Sequence, residues 1–204
     1  MRQIVCGIDP GQTESGVCVV VHEDGKFKID YAAKMDNASL LKLIASDQSI
    51  GNYFPRVFAI EPITPLGQTM GQSLIDTIKF IAILEDRINT QYLVHAFFYP
   101  RAKYGRWLVP DGKLSDATLR AAIEEKCGSS SKKGDPLYSL RGASDKRSAF
   151  ALAMYHLFKT GATSGDSISC LSNDPQPDSA RATAGSASSN VRDRHRKPAC
   201  NIER

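Results

Sequence analysis

The chain has 204 residues, 42% of them hydrophobic and 24% charged, with 15 Gly and 10 Pro. That balance excludes collagen-like, wholly disordered and disulfide-scaffold proteins, and no apolar run nears the roughly 18 residues a bilayer span needs, so no membrane partner is expected. Five cysteines (Cys6, Cys18, Cys127, Cys170 and Cys200) without a C-x-x-C pair argue for thiols rather than disulfides or a zinc site. The apolar start is interrupted at Asp9, too early for a secretory signal, so an intracellular, cytoplasmic protein is expected. The net charge of +4 is unevenly spread: residues 1–100 carry 8 Lys/Arg against 11 Asp/Glu, whereas residues 101–147 carry 11 against 6. A basic stretch beside an acidic half suits a polyanion held near carboxylates.

Residues 3–9 form a short apolar run that breaks at Pro10-Gly11, and residues 16–22 are β-branched. Glu23-Asp24-Gly25-Lys26 is a hairpin turn signal, and residues 27–32 alternate, so the chain opens as an antiparallel three-strand meander. Residues 37–45 place Leu40, Leu41 and Ile44 at helical spacing. Residues 56–61 read as a buried strand ended by Pro62. After Gly67-Gln68-Thr69-Met70-Gly71 a long helix runs from about residue 72 to 89, with Leu74, Ile78, Ile81 and Ile88 as its apolar stripe and Phe80, Ile83 and Leu84 widening it. Residues 92–99 are a further strand closed by Pro100. Ser115-Asp116 caps a helix that carries Leu119 and Ile123. A Ser/Lys/Gly/Pro-rich loop over residues 128–142 precedes a last helix, capped by Ser144 or Asp145 and ending near residue 159. A hairpin meander followed by alternating helices and strands is a mixed α/β sheet with helices on its faces. From residue 161 Ser, Ala, Asp, Pro and Arg dominate, too little apolar surface to offset ordering entropy. The expected division is therefore one domain over residues 1–160 and a disordered basic tail over 161–204, whose Arg192, Arg194, Arg196 and Lys197 would add non-specific affinity for a polyanion.

Two acids stand at strand ends, Asp9 and Glu61, and a third, Asp145, falls in the first turn of the last helix. Its register with Ala149, Leu152 and His156 puts it on the face that packs against the sheet. Taken singly, Asp9 is a turn former, Glu61 a strand end and Asp145 a helix-dipole partner. Taken together, three converging carboxylates repel one another unless protonated or bridged by cations, and a hard ion such as Mg2+ answers that need. Two ions about 4 Å apart, bridged by Asp9, would stabilise the attacking and leaving oxygens of phosphodiester hydrolysis.

The ordered set resembles a known family. Gly7-Ile8-Asp9-Pro10-Gly11 with Gly16-Val17, then Phe58-Ala59-Ile60-Glu61, then Gly67-x-x-x-Gly71, then Asp145-Lys146-Arg147-Ser148-Ala149-Phe150-Ala151-Leu152-Ala153, is similar to the motifs of RuvC-type Holliday junction resolvases, viral members among them. The likeness covers about residues 3–158. It implies a ribonuclease H-like five-stranded sheet, three antiparallel strands followed by parallel ones, flanked by helices. It further implies an endodeoxyribonuclease that nicks four-way (Holliday) junctions, with two Mg2+ ions (or Mn2+) on Asp9, Glu61 and Asp145, working as a homodimer on branched DNA. One position departs: where the family has a second acid one turn into the last helix, this chain has Ser148. Arg101, Lys103, Arg106 and Lys113 interleave with Tyr104 and Trp107 as a DNA-binding segment, in which Lys113 would stabilise charge on the scissile phosphate and a ring would stack on an unpaired base. The competing readings are a non-catalytic branched-DNA-binding module, which Ser148 favours, and an actin-like or sugar-kinase-like ATPase, for whose second Asp-x-Gly domain the chain has no room.

Overall fold

The computed structural model describes residues 2–46, 48–64, 71–162 and 169–170. The chain begins with three antiparallel strands, β1 (Gln3–Pro10), β2 (Glu14–Glu23) and β3 (Lys26–Asp36), and then forms α1 (Asn37–Ala45). Next come β4 (Val57–Ile60), α2 (Gln72–Tyr92), β5 (Ala96–Phe98), α3 (Arg101–Leu108), α4 (Asp116–Cys127), α5 (Ser144–Lys159) and a two-residue strand β6 (Ser169–Cys170). The strand order is β5-β4-β1-β2-β3-β6, with β4 parallel to β1 and β5 parallel to β4. This is the expected mixed sheet of five strands, to which β6 adds a short parallel edge beside β3. None of the described helices is long and apolar enough to cross a membrane.

Local sequence accounts for most of these elements. The β2–β3 turn needs positive φ at both central residues, and Asp24 (φ 51°) and Gly25 (φ 78°) supply it. Ser115 caps α4 by accepting the Thr118 amide at 3.2 Å, with Thr118 reciprocating in a capping box. Asp36 caps α1 through the Ser39 amide at 2.8 Å.

Three expectations change. The strand foreseen over residues 92–99 is only Ala96–Phe98, because α2 runs on to Tyr92 and closes at Leu93 in the left-handed region (φ 53°). The basic segment after Pro100, to which the sequence pattern assigns no element, is largely the helix α3; Gly105 argues against a helix in sequence, yet a Cβ there would collide with Leu114. The cap of α5 is Ala143 rather than Ser144 or Asp145, both of which lie inside the first turn. The tail beyond residue 170 and the Gly67–Met70 part of the glycine motif lie outside the described residues.

The sheet separates two cores. Cys6 and Ile8 of β1, Val17 and Val19 of β2, and Phe58 and Ile60 of β4 pack with α1 and α2. The alternate residues Val5, Cys18, Val20 and Ala59 pack with α3, α4 and α5. By the two-residue period, Gly7, Asp9, Gly16 and Glu61 belong to the α5 face. From Ser148 to Leu157 every residue of α5 is buried, so this helix is covered on all sides. It lies unusually close to the sheet: a Cβ on Gly7 would meet the Ala149 carbonyl, and one on Gly16 would meet the Asp145 backbone. On α2, Phe80 and Leu84 are buried against the sheet, so the apolar surface expected to widen its outer stripe reduces to Ile78 and Ile83.

Gly7→Ala should therefore be costly despite adding one methyl group. Overpacking against backbone predicts a loss of about 2–3 kcal/mol, a melting-temperature drop on the order of 5–10 °C, measured by thermal denaturation. An unchanged melting temperature would mean that α5 does not rest on β1.

Candidate active site

Strand register gathers the acids. Asp9 pairs with Gly16 across β1–β2, and the Glu61 amide donates to the Ile8 carbonyl at 3.1 Å, so Glu61 follows β4 next in register to Asp9. Asp145 comes to the same place because its backbone lies on Gly16. Asp9 is the central acid. Burial, then the Glu61 charge, then the Asp145 charge push its carboxyl up to about 7, while the Ser148 hydroxyl and the Arg101 charge pull the other way. Glu61 is raised as well, chiefly by burial, although the Tyr104 hydroxyl donates to its Oε2 at 2.6 Å and Arg101 opposes the shift. Asp145 accepts from Ser144 Oγ at 3.1 Å on Oδ1, and its Oδ2 lies 3.4 Å from Lys34 Nζ.

Two cations stand among these acids. Lys34 bridges Asp145 and Glu14, the latter at 3.1 Å. Arg101 donates from Nη1 to Ser148 Oγ at 3.3 Å and pairs through Nη2 with Asp116. Asp9 lies between two cavities: one of about 230 Å3 bounded by Asp9, Glu14, Lys34 and Asp145, and one of about 450 Å3 bounded by Asp9, Glu61, Ile63, Pro100, Arg101 and Leu114. Among the described residues no three His, Cys, Asp or Glu side chains form a group that could hold one ion together. The donor set itself suits a hard cation, since it is all carboxylate oxygen, and two of its acids are raised above their ordinary range, chiefly by burial.

The expected DNA-binding residues divide. Lys103 and Arg106 are exposed on α3 and Lys113 is exposed in the loop before α4, next to the cavity residue Leu114. Tyr104 is fully buried and committed to Glu61, so it cannot stack on a base. Trp107 packs on Phe158 (ring centroids 5.2 Å apart, 26° between planes) and against Tyr155, which places it in the core margin. Arg101, expected on the DNA surface, reaches into the acid cluster instead. Lys34, Glu14 and Asp116 were not singled out by sequence. Lys34 in particular is hidden by register: counting back from the turn, Gly16 would face Ala33, but a bulge between Val19 and Val20 shifts the pairing so that Gly16 meets Lys34.

No protein-family model and no curated protein sequence matches the chain. Solved structures do. The RuvC protein of T. thermophilus, in complex with a Holliday junction substrate, is similar at a TM-score of 0.57 and 17% identity, over 78% of this chain and 94% of that one. A second structure of Thermus thermophilus RuvC gives 0.55 and 17%, over 78% and 96%. The fold is that of RuvC. In this fold Asp9, Glu61 and Asp145 share the α5 side of the sheet at the end of β1.

The raised Asp9 carboxyl has a consequence for stability without divalent ions. Its folded value of about 7 lies above the ordinary aspartate value of 3.8, so the folded state holds the proton more tightly and stability falls as pH rises from about 4 to 7. Asp9→Asn removes that cost, on the order of 2–4 kcal/mol at pH 8 and nothing at pH 4. Melting temperatures of both proteins in chelator at the two pH values check this.

Proposed function

We propose that this chain is a divalent-metal-dependent endodeoxyribonuclease that nicks four-way (Holliday) junctions in the compartment that holds the DNA. The observation that carries the proposal is the convergence of Asp9, Glu61 and Asp145 at one end of a RuvC-fold sheet, with Asp9 half-buried between the other two. Asp9, with Asp145 on one side and Glu61 on the other, would provide the carboxylates for the metal, which supplies Lewis acidity and positive charge at the phosphate. In the hydrolysis a water oxygen forms a new bond to phosphorus. The bridging P–O bond breaks, the leaving oxygen keeps the bonding pair, and protons exchange with solvent at both oxygens. The chain's own contribution is to hold the acids in a partly buried cleft and to carry exposed cations on α3 and in the loop after it. Lys103, Arg106 and Lys113 suit phosphate contacts, and Lys113, next in sequence to the cavity-lining Leu114, is the candidate for steadying charge at the scissile phosphate.

A homodimer is proposed with it. A four-way junction has two-fold symmetry, and two matched nicks need two sites related by that symmetry. Exposed Ile78 and Ile83 give α2 an apolar outer surface for such a pairing.

Incubation with a synthetic four-way junction and Mg2+ tests the proposal. Wild type should cut it, and Asp145→Asn should cut about 100-fold more slowly or worse while binding the junction with little loss. Binding without cleavage by wild type in Mg2+ and in Mn2+ would replace the nuclease with a branched-DNA-binding module.

A further inference from the structure

Asp9 has a carboxylate and a cation on each side, and the two cations are held very differently. Toward the smaller cavity are Asp145 and Lys34. Lys34 is exposed, and its ammonium sits at the end of a flexible stem between Glu14 at 3.1 Å and Asp145 at 3.4 Å. A solvated pair of this kind is worth little and yields readily to a better-charged competitor. Toward the larger cavity are Glu61 and Arg101. Arg101 is partly buried at the start of α3. Its guanidinium is fixed at both ends, on Ser148 Oγ at 3.3 Å and on Asp116. Its charge acts on both Glu61 and Asp9.

We infer that Arg101 takes the place of a second metal ion: the site holds one divalent cation, on the Asp9–Asp145 side, and the Arg101 guanidinium on the Glu61 side contacts the phosphate to be cleaved. It rests on the nuclease proposal and departs from the two ions that the sequence resemblance implies. Three features support it. A guanidinium anchored beside Glu61 and Asp9 repels a divalent ion from the same carboxylates. The donors a second ion would use are already engaged or uncharged, since Glu61 Oε2 accepts the Tyr104 hydroxyl at 2.6 Å and Ser148 is a buried neutral hydroxyl occupied by Arg101. Finally, the anchoring engages Nη1 and Nη2 once each, and a guanidinium carries five N–H donors in a planar fork, so donors remain for phosphate oxygens. In this role Arg101 neutralises charge developing on the non-bridging oxygens, and no bond forms to it.

Metal stoichiometry decides the matter without any cleavage assay. Mn2+ is titrated into the full chain, free of DNA, and bound ion is counted by the loss of the free Mn2+ electron paramagnetic resonance signal. One ion per chain is expected for wild type, and two for the double variant Arg101→Gln, Ser148→Asp, which removes the resident charge and adds a carboxylate. If circular dichroism shows the double variant unfolded, Arg101→Gln alone takes its place with the same expectation. Two ions on wild type would overturn the substitution and leave the nuclease proposal standing. One ion on the folded variant would also overturn it, since something other than Arg101 would then exclude the second. No bound ion on wild type would overturn the metal-dependent nuclease proposal itself.

Discussion

The close seating of α5 on two glycines governs this molecule. Gly7 and Gly16 occupy neighbouring strands on the same face, and each leaves room for helix backbone where any side chain would collide. The spacing has two effects at once. It lets a helix that is buried on every side serve as the core of the α3–α4–α5 layer, and it lowers the first turn of that helix onto the end of β1. Asp145 reaches Asp9 through this descent rather than through its own side-chain length. Parallel pairing of β4 with β1 brings Glu61 in from the other side. The site is thus a by-product of how tightly one helix packs, and packing of that kind tolerates little displacement.

The electrostatics of the cleft run against stability. Burial raises Asp9 and Glu61 and neighbouring carboxylates add to it; the fold offsets part of that cost with Arg101 and the Tyr104 hydroxyl, while Lys34 pairs with Asp145. These three partners are graded in permanence. Tyr104 is fully buried, Arg101 is tied at two points, and Lys34 is exposed on a flexible stem. A cleft organised in this way has one side open to an incoming cation and one side already furnished with a cation, which is the physical basis of the one-ion proposal.

Much of this was legible in the sequence, and the reasons are local. The β2–β3 hairpin shows through Asp24-Gly25, α4 through Ser115, and the three acids through their places at strand ends and a helix start. What escaped is non-local. The bulge between Val19 and Val20 moves Lys34 opposite Gly16, and nothing in the strand's composition announces it. The helix α3 is polar and contains Gly105, whose use becomes visible only when Leu114 packs against it. An Arg in a basic stretch looks like a phosphate contact, and a Tyr among basic residues looks like a stacking platform. Tertiary structure turned both inward, Arg101 to Ser148 and Asp116, and Tyr104 to Glu61. The short strand β6 lies in a region whose composition suggested no order before the end of the chain.

The Gly16 contact is what positions Asp145. Gly16→Ala puts a methyl group where the Asp145 backbone now lies, and a displacement of about 1 Å at a reacting group can cost on the order of 100-fold in rate. The measurement is four-way junction cleavage by Gly16→Ala under conditions where circular dichroism and a cooperative melt show it folded. The account predicts cleavage reduced about 100-fold with junction binding nearly unchanged. A folded Gly16→Ala protein that cuts at the wild-type rate would contradict it.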